Sequence, residues 1–275
     1  MAIQQMAQAM SYPQPTQFGA LQHRHWHLAY RTQCGPRHGA CEDACAAVIT
    51  PNHGLTLALA DGVSKGAYGA VAATELVNAC LAIRGNEQLT AHVIEEGLRQ
   101  ADRHVADAIR SMSDAQGAAC LVAAWFEEDG HGYIAHVGDC RAYSVTYSSD
   151  GRLDLHALTV DQSYLNLRED PPVGVSVENP ARMIGLGHFE AADMARVSIQ
   201  KVCVQPESGV IFATDGVHDV LSQDDIAGLL GPHAGEHGAW MSDRLPFFAA
   251  SVVSMAQEAG SMDDIGVAIL WRTSQ

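Results

Sequence analysis

Three short segments put carboxylates where apolar runs begin or end. Asp61 closes the run over residues 55–60 and is followed by Gly62; Asp215 ends the run over 210–214 and precedes Gly216; the pair Asp263-Asp264 opens the run beginning at Ile265. A side chain at a strand end is held by the core beneath it, and several such ends can meet at one rim of a sheet. Carboxylates brought together repel, so a shared site calls for a cation, and hard oxygen donors favour Mg2+ or Mn2+ over zinc. Gly62 adds a backbone carbonyl that no side chain screens. Each Asp-Gly alone is also an ordinary turn. The order, spacing and flanking strands lift the set above that.

The elements that must position these residues follow from periodicity. The buried run at 55–60 reads as a strand feeding a turn. A helix over 67–83 places Ala67, Ala70, Thr74, Val77 and Leu81 on one face, and a second over 91–112 does the same with Ile94, Leu98, Ala101, Val105, Ala108 and Met112. Strand-like runs at 118–126, 133–137, 142–147 and 153–158, separated by glycines and a turn at 148–151, suggest an antiparallel meander. Further strands are expected at 197–204, 210–214 and 265–271. A helix over 245–259 has Asp243 near its start and Gly260 at its stop. Strands, then helices, then many strands imply an α+β fold of antiparallel sheets covered by helices.

The chain of 275 residues has no internal repeat or linker between residue 25 and its C-terminal end, which favours one domain over 25–275. Residues 1–16 are Gln-rich, with no basic start or apolar run of a secretory signal, and 1–24 are expected to form a flexible arm. No stretch nears the about 20 apolar residues of a membrane span, so a cytoplasmic protein without membrane contacts is expected. A net charge of −16 speaks against nucleic acid as a partner. The same charge suits a phosphate substrate only if bound cations invert the local field. Seven cysteines without CxxC spacing read as reduced thiols, and His23, His25 and His27 as solvent-exposed imidazoles.

From about His25 to Trp271 the chain resembles the metal-dependent serine/threonine protein phosphatases of the PPM, or type 2C, family, bacterial branch. The resemblance is carried by five motifs in the family's order: Cys41-Glu42-Asp43-Ala44, the segment 60–66 around Asp61-Gly62, the segment His136-Val137-Gly138-Asp139-Cys140-Arg141-Ala142-Tyr143, the segment 212–219 around Asp215-Gly216, and Met262-Asp263-Asp264-Ile265-Gly266-Val267. Leu158-Thr159-Val160-Asp161-Gln162-Ser163 agrees with a further family segment.

The resemblance implies a four-layer α-β-β-α sandwich and a site with two Mn2+ or Mg2+ ions. Asp61 would bridge the ions and the Gly62 carbonyl would touch one. Asp215 and Asp263 would complete the other, with Glu42 or Asp43 acting through water. Asp114 would serve a third, weaker metal. It also implies hydrolysis of phosphoserine or phosphothreonine by a hydroxide shared between the cations, about 4 Å apart, with no phospho-enzyme. A phosphoprotein would be the substrate, with a cognate Ser/Thr kinase as its counterpart.

The chain departs from the pattern at four places. His38 stands where the family often has its phosphate-gripping arginine, and Arg37 is the nearest substitute, a guanidinium being suited to phosphate. Val63 stands where eukaryotic members have a histidine acid, which leaves His38, His218 or metal-bound water to protonate the leaving group. Ser64-Lys65 interrupts a Gly-Gly pair and brings Lys65 toward the phosphate. Asp264 replaces an asparagine and is expected to tighten metal binding. Two other readings stay open: a non-catalytic phosphoprotein- or kinase-binding regulator, and a hydrolase of small phosphate esters.

Overall fold

The computed structural model describes residues 16–50, 54–63, 68–83, 89–112, 116–148, 152–187, 196–230 and 239–274. Among the described residues eleven strands form two sheets in which every neighbouring pair runs antiparallel. One sheet has β1 (Thr16–His23), β2 (Trp26–Gln33), β11 (Ile265–Arg272), β10 (Ser208–Ala213), β7 (Arg141–Tyr147) and β8 (Leu153–Ala157), in that spatial order. The other has β3 (Ala44–Ile49), β4 (Leu55–Gly62), β5 (Ala119–Phe126), β6 (His131–Val137) and β9 (Ser198–Cys203).

The central strands are apolar throughout because both of their faces are covered. In β4, Leu55, Leu57 and Leu59 meet the opposite sheet, packing with Val122, Phe212 and Leu270. Ala58 and Ala60 point the other way, under helices α1 (Gly69–Ala82) and α2 (Ala91–Met112). In β11, Leu270 faces inward, while Val267, Ile269 and Trp271 pack beneath the long helix α6 (Ala239–Glu258) and the shorter α5 (Gln223–Leu230). The result is the expected α-β-β-α order of layers. The short helices α3 (Tyr164–Leu167) and α4 (Asp215–His218) lie at loop ends.

Helix α2 falls where its periodicity places it, and α1 is a few residues shorter than expected. Two expectations are corrected. The arm expected over 1–24 is a strand from Thr16 on: β1 pairs with β2 along its whole length and turns Leu21 toward the inter-sheet core. Its polar residues hide that pattern in the sequence, and residues 1–15 lie outside the described residues. His27, expected in solvent, is buried, with Nε2 3.4 Å from Thr273 Oγ1. Helix α6 begins at Ala239, six residues before the expected start, and carries Pro246 inside it. Among the described residues no helix is long and apolar enough to cross a membrane.

Candidate metal centre

The described motif carboxylates lie at one end of the sandwich, and register shows why. Asp61 pairs with Cys120 at the end of β4, where β5 begins, and Ala44 at the start of β3 pairs with Ala60. Across the slot, Ala213 at the end of β10 pairs with both Arg141 and Val267 at the starts of β7 and β11. Period-two alternation then aims Asp61, beyond Leu59, and Asp43, before Cys45, into the space between the sheets.

The electrostatics follow from that crowding. Burial pushes the Asp61 carboxyl well above the usual range, and Asp215, Asp43, Asp139 and Asp263 push it the same way. Asp43 is raised by burial and then by Asp264, Asp215 and Asp263, against a lowering hydrogen bond from Thr214. Asp215 is pushed up to about 8 by burial, Asp139, Asp263 and Asp219. Thr214 is fully buried: its hydroxyl donates to Asp43 Oδ2 at 2.8 Å, while it accepts the Gly266 N–H at 2.8 Å. Asp43 Oδ1 and Asp139 Oδ1 are buried with no hydrogen-bond partner.

Buried carboxylates that raise one another's pKa and keep orphan oxygens suit a divalent cation, which would supply the missing charge and partner. Among the described residues no three His, Cys, Asp or Glu side chains close into a ready ligand shell. Gly62 fits the same demand for close approach. A Cβ there would lie 2.3 Å from the Gly69 carbonyl oxygen and 2.8 Å from that of Glu42, and its N–H donates to the Glu42 carbonyl at 3.2 Å.

Asp61, Asp43, Asp215 and Asp263 are thus brought together, and Glu42 lies beside them along the start of α1. Arg37 is exposed in the preceding loop, without a hydrogen bond or ion pair to another described residue. Asp114 and Lys65 lie outside the described residues. Asp264 spends its oxygens on other partners, accepting the Gly35 N–H at 2.6 Å and the Glu42 N–H at 2.5 Å, with His38 Nδ1 at 3.0 Å, while its charge still raises Asp43.

His38 gains proton affinity because its Asp264 and Asp263 contacts outweigh burial. His218 is occupied, Nε2 meeting the Asp139 carbonyl at 3.1 Å and Nδ1 lying 3.4 Å from Asp219. Asp139 is the residue to which sequence reasoning gave no role. It follows the buried strand β6 through Gly138, the reverse of the Asp61-Gly62 order. Arg141 is committed to Asp161 through two contacts of 2.9 and 2.7 Å, and Gln162 ties the same segment to Gly138. Cys140 is buried, and burial, Asp61 and Asp139 hold its thiol protonated.

The model of the protein phosphatase 2C family matches residues 36–258, and the chain belongs to that family. It is a protein phosphatase by class. The fold is shared with the serine/threonine phosphatase PstP/Ppp of Mycobacterium tuberculosis at 19% identity and a TM-score of 0.70, over 90% of this chain and 99% of that one. A second structure, the PstP catalytic domain with two manganese ions, gives 19% identity and a TM-score of 0.68, again over 90% and 99%. Stp1 of Staphylococcus aureus gives 17% identity and 0.68, over 92% and 100%. No curated protein sequence matches the chain.

Proposed function

We propose that this chain hydrolyses phosphoserine and phosphothreonine in proteins with two divalent cations held at the inter-sheet rim. Asp61, Asp215, Asp263 and the Gly62 carbonyl would hold them, with Glu42 and Asp43 acting through water; Mn2+ and Mg2+ both suit these donors. Bound there, the cations would supply charge for the phosphoryl oxygens and make water a better nucleophile. The observation that carries the reading is the set of buried, mutually repelling carboxylates around Asp61 and Asp43.

The chain's own residues set the stage. Thr214 fixes Asp43, and Gly62 and Gly69 bring two backbones into contact beneath the site. Arg37, exposed in the loop at 35–42, would be the residue to meet the substrate phosphate. Protonated Cys140 offers no nucleophile, which agrees with direct hydrolysis and no phospho-enzyme. Asp114 is the candidate for a third cation. A Ser/Thr kinase that makes the phosphoprotein is the counterpart such an activity requires. Seven free thiols suit a reducing cytoplasm.

The test is hydrolysis of a phosphothreonine peptide with Mn2+, compared with p-nitrophenyl phosphate and a small metabolite ester by kcat/KM. Activity that needs metal, disappears in Asp61→Ala and favours the peptide is the expected result. Preference for the metabolite would make this a small-ester hydrolase. No turnover with any divalent metal would leave a phosphoprotein- or kinase-binding regulator.

A further inference from the structure

We propose that Asp264 is a positioning residue: it holds residues 35–42 against the acidic rim and so shapes the metal-binding face without binding metal. The inference rests on the reading of Asp61, Asp215 and Asp263 as ligands.

Adjacent Asp263 and Asp264 differ in every respect that matters. The Asp263 side chain is 50% exposed, and its Oδ1 accepts the N–H of Asp264 at 2.9 Å. The Asp264 side chain is 2% exposed, and both of its oxygens are used. Oδ1 takes the Gly35 N–H; Oδ2 takes the Glu42 N–H and faces His38 Nδ1. One carboxylate therefore closes both ends of the loop that carries Arg37, His38 and Glu42, from a point more than 200 residues away in sequence.

The hold passes onward. Glu42, fixed through its N–H by Asp264, receives the Gly62 N–H on its own carbonyl, which orients the Asp61–Gly62 peptide. Close backbone packing fixes the geometry on two further sides. A Cβ on Gly35 would lie 2.3 Å from the Asp263 carbonyl oxygen, and one on Gly216 would lie 1.8 Å from that of Asp264. Asp264 thus touches the loop at 35–42 directly, the Asp61 strand end through Glu42, and the Asp215 turn through its backbone. An asparagine offers one acceptor oxygen, and its amide NH2 would oppose one of the two backbone N–H groups. The carboxylate satisfies both.

The experiment uses the full chain and Asp264→Asn, read by amide hydrogen exchange without metal and by calorimetric Mn2+ titration. Exchange over residues 35–43 is expected to rise at least about tenfold in the variant, with β4 and β5 unchanged. The Mn2+ Kd is expected to weaken about tenfold, while kcat at saturating Mn2+ stays within about threefold of wild type. A drop in Mn2+ stoichiometry, with turnover that no Mn2+ concentration restores, would make Asp264 a ligand and overturn the proposal. So would exchange that rises across both sheets with the Mn2+ Kd unchanged, the mark of a general core residue.

If Asp264→Asn does not fold, His38→Ala removes one partner and leaves the carboxylate. A rise in exchange confined to 35–43 is then expected, and unchanged exchange overturns the proposal. A wild-type chain that binds no Mn2+ would refute the metal reading alone, since the exchange experiment still decides the clamp.

Discussion

The two ends of this sandwich treat acid in opposite ways. At the far end, Asp129 accepts the His131 N–H at 2.9 Å, Glu207 accepts from the N–H and hydroxyl of Ser274 at 2.7 and 2.6 Å, and Glu128 pairs with Arg24. Each carboxylate there has a donor and access to water. At the site end, Asp61, Asp43 and Asp215 face one another, and burial and neighbouring carboxylates raise all three. The same residue type is a turn fastener at one end and a store of repulsion at the other. Burial without a donor makes the difference, and a cation is what resolves it.

The sharpest way to break this comparison is to remove one member of the crowded end. Asp61→Asn should cut metal-dependent hydrolysis by roughly 1,000-fold, the equivalent of about 4 kcal/mol in the barrier. The same substitution should raise the melting temperature of the metal-free protein, because it deletes a repelling buried charge. Loss of both activity and metal-free stability would show that the cluster is not repulsive.

A second effect, smaller but broader, is in pH. An aspartate titrates near 3.8 in the unfolded chain, whereas folding lifts Asp215 to about 8 and moves Asp43 and Asp61 the same way. The folded state binds these protons more tightly, so their contribution is complete at low pH and is lost as pH rises through the folded values. With chelator present, the melting temperature should fall between about pH 5 and pH 9. Saturating Mn2+ should flatten the profile, and a metal-free profile that rises with pH would contradict the buried cluster.

Thr214→Val keeps the shape of the residue but removes the hydroxyl that joins Asp43 to the Gly266 N–H. Denaturant unfolding should show a loss of about 1–3 kcal/mol, with weaker Mn2+ binding. The smallest effect belongs to the far end. Asp129→Asn should change stability by no more than about 0.5 kcal/mol and leave turnover unchanged. An activity loss there would erase the distinction between the ends.

The site end was largely legible in the sequence, because a buried run stopping at Asp-Gly is a local signal. Asp61 and Asp215 carry that signal and Asp263 opens a buried run, but their roles and the two-sheet sandwich came from the order of the motifs and the family resemblance. Asp139 follows its glycine instead of preceding one (Gly138-Asp139-Cys140), so the Asp-Gly signal does not single it out. Strand β1 was illegible because Gln17, Gln22 and His23 dilute its alternation, and only pairing with β2 makes it a strand. The partners of Asp264 were illegible for a deeper reason. Nothing near it in sequence says that its oxygens meet Gly35 and Glu42, and its neighbour Asp263 points into the site.

Strand β11 sits between β2 and β10, in the middle of its sheet, although it is made from residues 265–272. During synthesis the hairpin of β1 and β2 therefore has no sheet to join until the ribosome has released nearly the whole of this sequence. The site waits with it, since Asp263 and Asp264 emerge just ahead of that strand. A nascent chain halted before them would carry Asp61 and Asp215 without Asp263 and without the strand that joins β2 to β10. Any phosphatase activity would then begin only once translation had passed β11, with slow long-range pairing as the final step.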